Sequence, residues 1–318
     1  MTTAGADRSR GVYLHTIAMM GTVVTIQVVE RGVPRSDGVD RDRAIDLALA
    51  WFRRVEAACS RFDDTSELRR LSTQVGVAVP ASPMLFEAVR FALAVAAETG
   101  GAFDPAIGGD MEARGFNRHY RTGQTVSSGV KRESAASSYR HVELDAERLT
   151  ITLRRPLALD LGAVAKGLAV DMAARELRPL EHYAIDAGGD LYFAGRNVDD
   201  EPWAAGLRHP RDPGRLLETL RVSNAAVCTS GDYERTGIDG IAGHHLLDAR
   251  TGRTADRAVS VTVVAPTAMA ADALATAAFV LGPADGLRLL ESQGVEGLIV
   301  SPALERFETP GLRAHLPI

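Results

Sequence analysis

Two rhythms of apolar residues run along this chain. A β-branched stretch, TVVTIQVVE, predicts the first strand over residues 23–30. A polar, turn-rich segment follows at 31–42. Apolar residues then recur at helical spacing (Ile45, Leu47, Leu49, Phe52, Val55) and predict a helix over 43–59. A second helix is expected over 82–99, stopped by Gly100 and Gly101. The Gly-, Ser- and Arg-rich stretch 114–136 is expected to be a mobile loop. Residues 140–157 read as a hairpin turning near 145–148, 163–177 as a helix, and 183–194 as strand, turn, strand. More strand is expected over 215–228, a strong strand over 260–265, helices over 268–281 and 284–293, and a last strand over 297–301. Strands and helices mix without strict β-α-β alternation, which favours an α+β fold over a doubly wound parallel sheet.

Composition narrows the function classes. The chain has 318 residues, 46% hydrophobic and 24% charged, with a formal net charge of -5. That is an ordinary globular balance, long enough for a large core without disulfides. Net acidity argues against a general grip on nucleic acid, and 5% aromatic content argues against base stacking. Apolar runs reach about a dozen residues, short of the roughly 20 that a membrane span needs. Two cysteines, Cys59 and Cys228, are too few for a disulfide framework or a cysteine metal cage, and the expected compartment is the cytoplasm. Only Lys131 and Lys166 are lysines among 36 basic residues. A lysine that persists in so arginine-rich a chain marks a place where a guanidinium fork does not fit.

Lys166 lies in the densest motif, DLGAVAKGLAVD at 160–171. Asp160 and Gly162 stand where a strand should end, and Ala163 opens a helix whose free N–H groups favour phosphate. Lys166, one turn in, reaches the same anion. The plain structural reading is a capped helix with a solvated lysine. Asp272 and Thr276 are four apart, on one face of an alanine-rich helix. Two oxygen donors at that spacing suit a hard cation such as Mg²⁺; the plain reading is a dipole-favoured acid and a core threonine. Three small-residue turns carry flanking acids: Gly100 to Pro105, Asp186 to Asp190, and Thr229-Ser230-Gly231-Asp232-Tyr233. His244-His245-Leu246-Leu247-Asp248 supplies a candidate base or phosphate donor, but not the i, i+4 histidine spacing of a helical zinc site.

These pieces together resemble the ApbE-type FAD:protein FMN transferases. They are Met20-Gly21-Thr22; Cys59-Ser60-Arg61-Phe62 with Ser66-Glu67-Leu68 and Leu71; GAFDPAIG; DLGAVAKGLAVD; DAGGDLYFAG; AVCTSGDYER; HHLLDARTG; and SVTVVA with ADALATAAFVLG. They stand in the family's order from about residue 19 to 282. The resemblance implies a bilobed α+β fold, with mixed or antiparallel sheets flanked by helices and the active site between the lobes. It implies one domain over 12–318 made of two intertwined subdomains, with a disordered segment at 1–11. The implied reaction moves the FMN half of FAD onto a Thr or Ser hydroxyl of a target flavoprotein through a phosphoester bond, releasing AMP. FAD is then a substrate and Mg²⁺ the cofactor.

Carried over by position, the resemblance assigns the main-chain carbonyl of Ala163 and the side chains of Asp272 and Thr276 to the metal. It assigns Met20, Phe62, Ala102, Phe103, Asp104, Asp160, Lys166, His245, Leu246 and Leu247 to FAD, with Ser230, Gly231 and Asp232 bordering the phosphates. His245, Asp160 and Lys166 are the catalytic candidates; the base is His245 or Asp160. Ala275 stands where some relatives have a second acid, and Phe62 where some have Tyr. Gly109-Asp110 and Ala249 replace residues common in the family near the expected acceptor entrance. Two other activities stay open: Mg²⁺-dependent hydrolysis of FAD to FMN and AMP, and a catalytically idle flavin-binding protein. The expected state is a monomer or homodimer.

Overall fold

The computed structural model describes residues 10–31, 40–130, 138–234 and 243–317. An eight-stranded sheet organises them. In spatial order its strands are Arg10–Met19, Thr22–Arg31, Tyr183–Ala187, Asp190–Ala194, Ala225–Gly231, Ser260–Ala265, Glu296–Val300 and Arg306–Glu308. Every neighbouring pair is antiparallel. Helices gather on one face and a long hairpin covers part of the other, so the fold is α+β, as the mixed pattern predicts.

The helices start where local chemistry says they should. Asp40, Ser82 and Thr267 accept from the amides of Arg43, Leu85 and Ala270, capping the helices Arg41–Cys59, Pro83–Glu98 and Ala268–Leu281. The helix Gly162–Leu177 lies among the other three on that face. Its Gly167 is obligatory, because a Cβ there would stand 2.5 Å from the carbonyl oxygen of Ala268. The small residues of Ala268–Leu281 allow the same closeness from the other side; Ala271, Ala273, Ala275, Ala277 and Ala278 are fully buried.

The second face is packed by Trp203–His209 and Asp212–Val222, paired antiparallel. Trp203, Leu220 and Val222 join Phe193, Val227 and Leu298 in a core separate from that under the helices. The Trp203 indole N–H donates to the carbonyl of Ala194, so its one polar atom is satisfied.

Two expectations need correction. A strand begins at Arg10, within the segment expected to be disordered, and precedes the strand read as first; residues 1–9 lie outside the described residues. It was hidden because apolar side chains fall on both of its faces, with Val12 and Leu14 exposed at the sheet's edge. The run 215–228 is two strands, divided at Ser223-Asn224, where Asn224 takes a φ of 55°. The described part of the stretch 114–136 is a loop that carries a turn: the His119 amide donates to Gln124 and Arg118 bridges Thr125. Residues 131–137, Lys131 included, lie outside the described residues. The hairpin expected over 140–157 is present as Val142–Asp145 and Thr150–Leu153.

Candidate active site

The approach to the helix Gly162–Leu177 is zipped to the GAFDPAIG segment. The Asp160 amide donates to Pro105 and the Gly108 amide to Ala158. Gly108 has no room for a side chain, since a Cβ would lie 2.5 Å from the Ala158 carbonyl oxygen. Both oxygens of Asp160 are engaged. Oδ1 accepts from the Gly162 amide at 2.7 Å, the turn that starts the helix, and Oδ2 from Arg61 Nε at 2.5 Å. Arg61 is buried, donates also to the Phe116 carbonyl, and lies 4.1 Å over the Phe62 ring. The sequence motif contained Arg61 without a role; the structure makes it the partner of Asp160. Ala163, half-buried, is the second residue of the helix.

Lys166 projects from the helix's first turns into a buried acidic corner. Its ammonium pairs directly with Asp190 and stands 3.8 Å from Asp272 Oδ2. Burial alone would lower the lysine pKa, but the two carboxylates outweigh it and hold the group above its ordinary value. Lys166 is therefore an ammonium throughout the neutral range. The Cys228 thiol beside it is pushed well up, first by burial and then by the same two carboxylates, so it stays protonated. Asp190 escaped sequence reasoning as a site residue. It sat in a turn motif, and only the pairing of Asp190–Ala194 with Ala225–Gly231 brings it opposite Cys228.

Asp272 is buried, and Thr276 follows it one turn later with its hydroxyl 3.1 Å from that of Ser230. That contact joins the alanine-rich helix to the TSGDY turn. The helix is registered by Asp171, whose carboxylate accepts from the amides of Ala268 at 2.7 Å and Met269 at 3.0 Å. Burial raises the Asp171 pKa to about 6, and the two N–H donors pull the other way. Gly167 and Asp171 thus form one clamp, a turn apart on the same helix face.

Other expected residues fall around this corner in different roles. Met20, with a φ of 49°, opens the tight turn before Thr22. The Thr22 hydroxyl oxygen sits so close to Gly188 that a Cβ there would be 1.9 Å away, so the MGT and DAGGD turns are seated on each other. Ala102, Phe103 and Asp104 are buried. Asp104 accepts from the amides of Ala106 and Tyr139, both at 2.9 Å, and so holds backbone; burial raises its pKa while those bonds lower it. Leu246 and Leu247 are buried as well. His245 meets the Phe116 ring edge-on at 6.4 Å, beside the carbonyl that Arg61 uses. His244 packs on Phe279 at 5.5 Å, and burial lowers its pKa. Gly231 ends its strand, and Asp232 is gripped by Arg211.

The structure therefore brings together Lys166, Asp272, Thr276 and Ser230, and separately Asp160, Phe62 and His245 through Arg61 and Phe116. A cavity of about 400 Å³ lies along Met19, Ser60 and Arg121, next to the Met20 and Phe62 motifs. One of about 500 Å³ lies outside the hairpin Leu247–Asp248/Arg253–Thr254, lined by Arg114, Arg253 and Arg257. Lys166 and Asp272 line neither, and the chemistry argues for their buried corner. Among the described residues no three His, Cys, Asp or Glu side chains converge as a metal site. The set expected here is of another kind: one carboxylate, one hydroxyl and one main-chain carbonyl. All three are hard oxygens, the donor type that Mg²⁺ takes.

Comparison with known proteins places this architecture. The ApbE family model matches residues 20–299. The chain is 31% identical to the FAD:protein FMN transferase of Treponema pallidum, over 91% of this chain and 84% of the relative. It is 30% identical to the FAD:protein FMN transferase of Rhodobacter capsulatus over 95% of this chain, and spans only 58% of that protein's length. The crystal structure of the ApbE protein from Thermotoga maritima superposes with a TM-score of 0.83 at 26% identity, covering 97% of this chain and all, 100%, of that one. The flavin transferase ApbE from Vibrio cholerae gives 0.83 at 25%, with the same coverage. The chain belongs to the ApbE family. It shares that family's enzyme class, the flavin transferases.

Proposed function

We propose that this chain is an FAD:protein FMN transferase that moves FMN from FAD to a Thr or Ser hydroxyl of a target flavoprotein. The observation that carries the reading is Lys166, a permanent cation held between Asp190 and Asp272 just inside a helix start. A diphosphate needs fixed positive charge where its bridge is cut. Lys166 offsets part of the Asp190 and Asp272 charge that would otherwise repel the diphosphate, and a bound Mg²⁺ would supply the rest.

Mg²⁺, held by the Ala163 carbonyl, Asp272 and Thr276, would add charge neutralisation on the same diphosphate. The acceptor hydroxyl oxygen attacks the phosphorus on the riboflavin side. A new P–O bond forms in line with the P–O bond to AMP, which breaks. His245 takes the hydroxyl proton, because both oxygens of Asp160 are already committed to Gly162 and Arg61. Asp160 then acts as a positioning residue: it fixes the helix start and, through Arg61, the Phe62 ring. Among the described residues, no helix is long and apolar enough to cross a membrane.

Incubation with FAD and Mg²⁺, with and without a flavoprotein bearing an exposed Thr or Ser, tests this. AMP release with a covalent FMN mass increment on the acceptor is expected. FMN and AMP without the increment would replace transfer by FAD hydrolysis, and no cleavage at all would end both readings.

A further inference from the structure

Arg211 lies at the turn of the long hairpin, outside every motif that carries the family resemblance. Its Nη1 and Nη2 donate to Asp232 Oδ1 and Oδ2, both at 2.7 Å, a two-point fork that occupies the whole carboxylate. The acid is tucked in, with 18% of its side chain exposed, while the Arg211 side chain is 45% exposed. Asp232 immediately follows Ser230-Gly231, and the Ser230 hydroxyl meets Thr276. Both charges also bear on the His244 imidazole, which Asp232 favours as a cation and Arg211 disfavours. The pair therefore ties the hairpin turn to the TSGDY turn, and its charges reach the His244 imidazole, next to His245.

A half-exposed ion pair contributes little to stability. Its electrostatic effect is larger. A free Asp232 carboxylate would repel any diphosphate approaching Ser230-Gly231, and the fork cancels that charge while fixing the turn's direction. We propose that Arg211 is a positioning residue for the diphosphate bridge: by clamping Asp232 it makes the TSGDY turn acceptable to a doubly charged dinucleotide. The proposal rests on the flavin-transferase reading. It adds a determinant supplied from the hairpin on the far side of the sheet, and so a reason for that hairpin to reach the site.

Steady-state FAD cleavage with Arg211→Gln tests it. KM for FAD is expected to rise about tenfold with kcat within about twofold, since the effect is on admitting charge and not on the chemical step. Arg211→Lys, which keeps the charge and loses the fork, should fall between. The decisive variant adds Asp232→Asn to Arg211→Gln, removing the uncompensated acid; most of the lost affinity should return. A purely structural role predicts that the two losses add. An unchanged KM in Arg211→Gln, or a double variant no better than the single, overturns the proposal. Failure of the wild-type chain to cleave FAD would instead overturn the activity on which it rests.

Discussion

The strand Ala225–Gly231 serves two cores of opposite chemistry. Ala226, Cys228 and Ser230 turn toward the helices, where Cys228 shares a buried corner with Lys166, Asp190 and Asp272. Val227 turns the other way, into the cluster of Phe193, Trp203 and Leu220. One face is held by apolar packing, with the Trp203 indole N–H satisfied by the Ala194 carbonyl. The other buries charge, and every charge there requires a counter-charge or an N–H donor. The contrast teaches why the site sits on the helical face. Helix starts and close helix crossings bring amides and side chains together in three dimensions, whereas the body of the hairpin offers an apolar cover and only its turn, at Arg211, reaches toward the site.

The contrast can be broken at several points. Asp272→Ala should abolish Mg²⁺-dependent AMP release from FAD while leaving a folded protein by circular dichroism; unimpaired turnover would remove this acid from the site. On the other face, Trp203→Ala should cost about 3–5 kcal/mol in denaturant unfolding. KM for FAD should stay unchanged wherever the variant is still folded. A changed KM with little loss of stability would mean that the two faces do not divide their labour.

Asp171→Asn should show a pH signature. Burial raises the native Asp171 pKa to about 6, above its ordinary 3.8. The native state therefore binds the proton more tightly than the unfolded chain. This group's contribution is fully present below about 4 and is lost as pH rises through about 6. Wild type should lose about 3 kcal/mol relative to Asp171→Asn across that window; a pH-independent difference would refute the assignment. The smallest effect is expected from Phe62→Tyr, which keeps the ring under Arg61. KM for FAD should move less than about threefold, within the usual range for a mild surface change. A larger shift would give the ring edge a direct part in recognition.

Most helices and strands were legible because their signals are local. Asp40, Ser82 and Thr267 cap where a capping residue precedes an apolar run. The β-branched runs at Thr22–Arg31 and Ser260–Ala265 are strands. The edge strand Arg10–Met19 and the strand Trp203–His209 were not read, because neither has a run that excludes other states. Of the candidate site, Lys166, Asp272 and Thr276 stood out as candidates from lysine scarcity and helix spacing, and the resemblance implied their roles. Asp190, Arg61, Asp171 and Arg211 were not. Each acts on a partner from another element, such as Asp190 on Lys166 or Arg211 on Asp232, and spacing along the chain carries no signal of such pairs.

By itself the sequence determined the α+β class, the helix starts and the order of the family's motifs, because capping, periodicity and turn chemistry act over a few residues. Only the tertiary structure decided which carboxylate neutralises Lys166, that Asp160 is committed to Arg61 and the helix start, and that Gly167 and Asp171 set the register of Asp272. Those are matters of distance between segments far apart in the chain, and charge and close packing act through space.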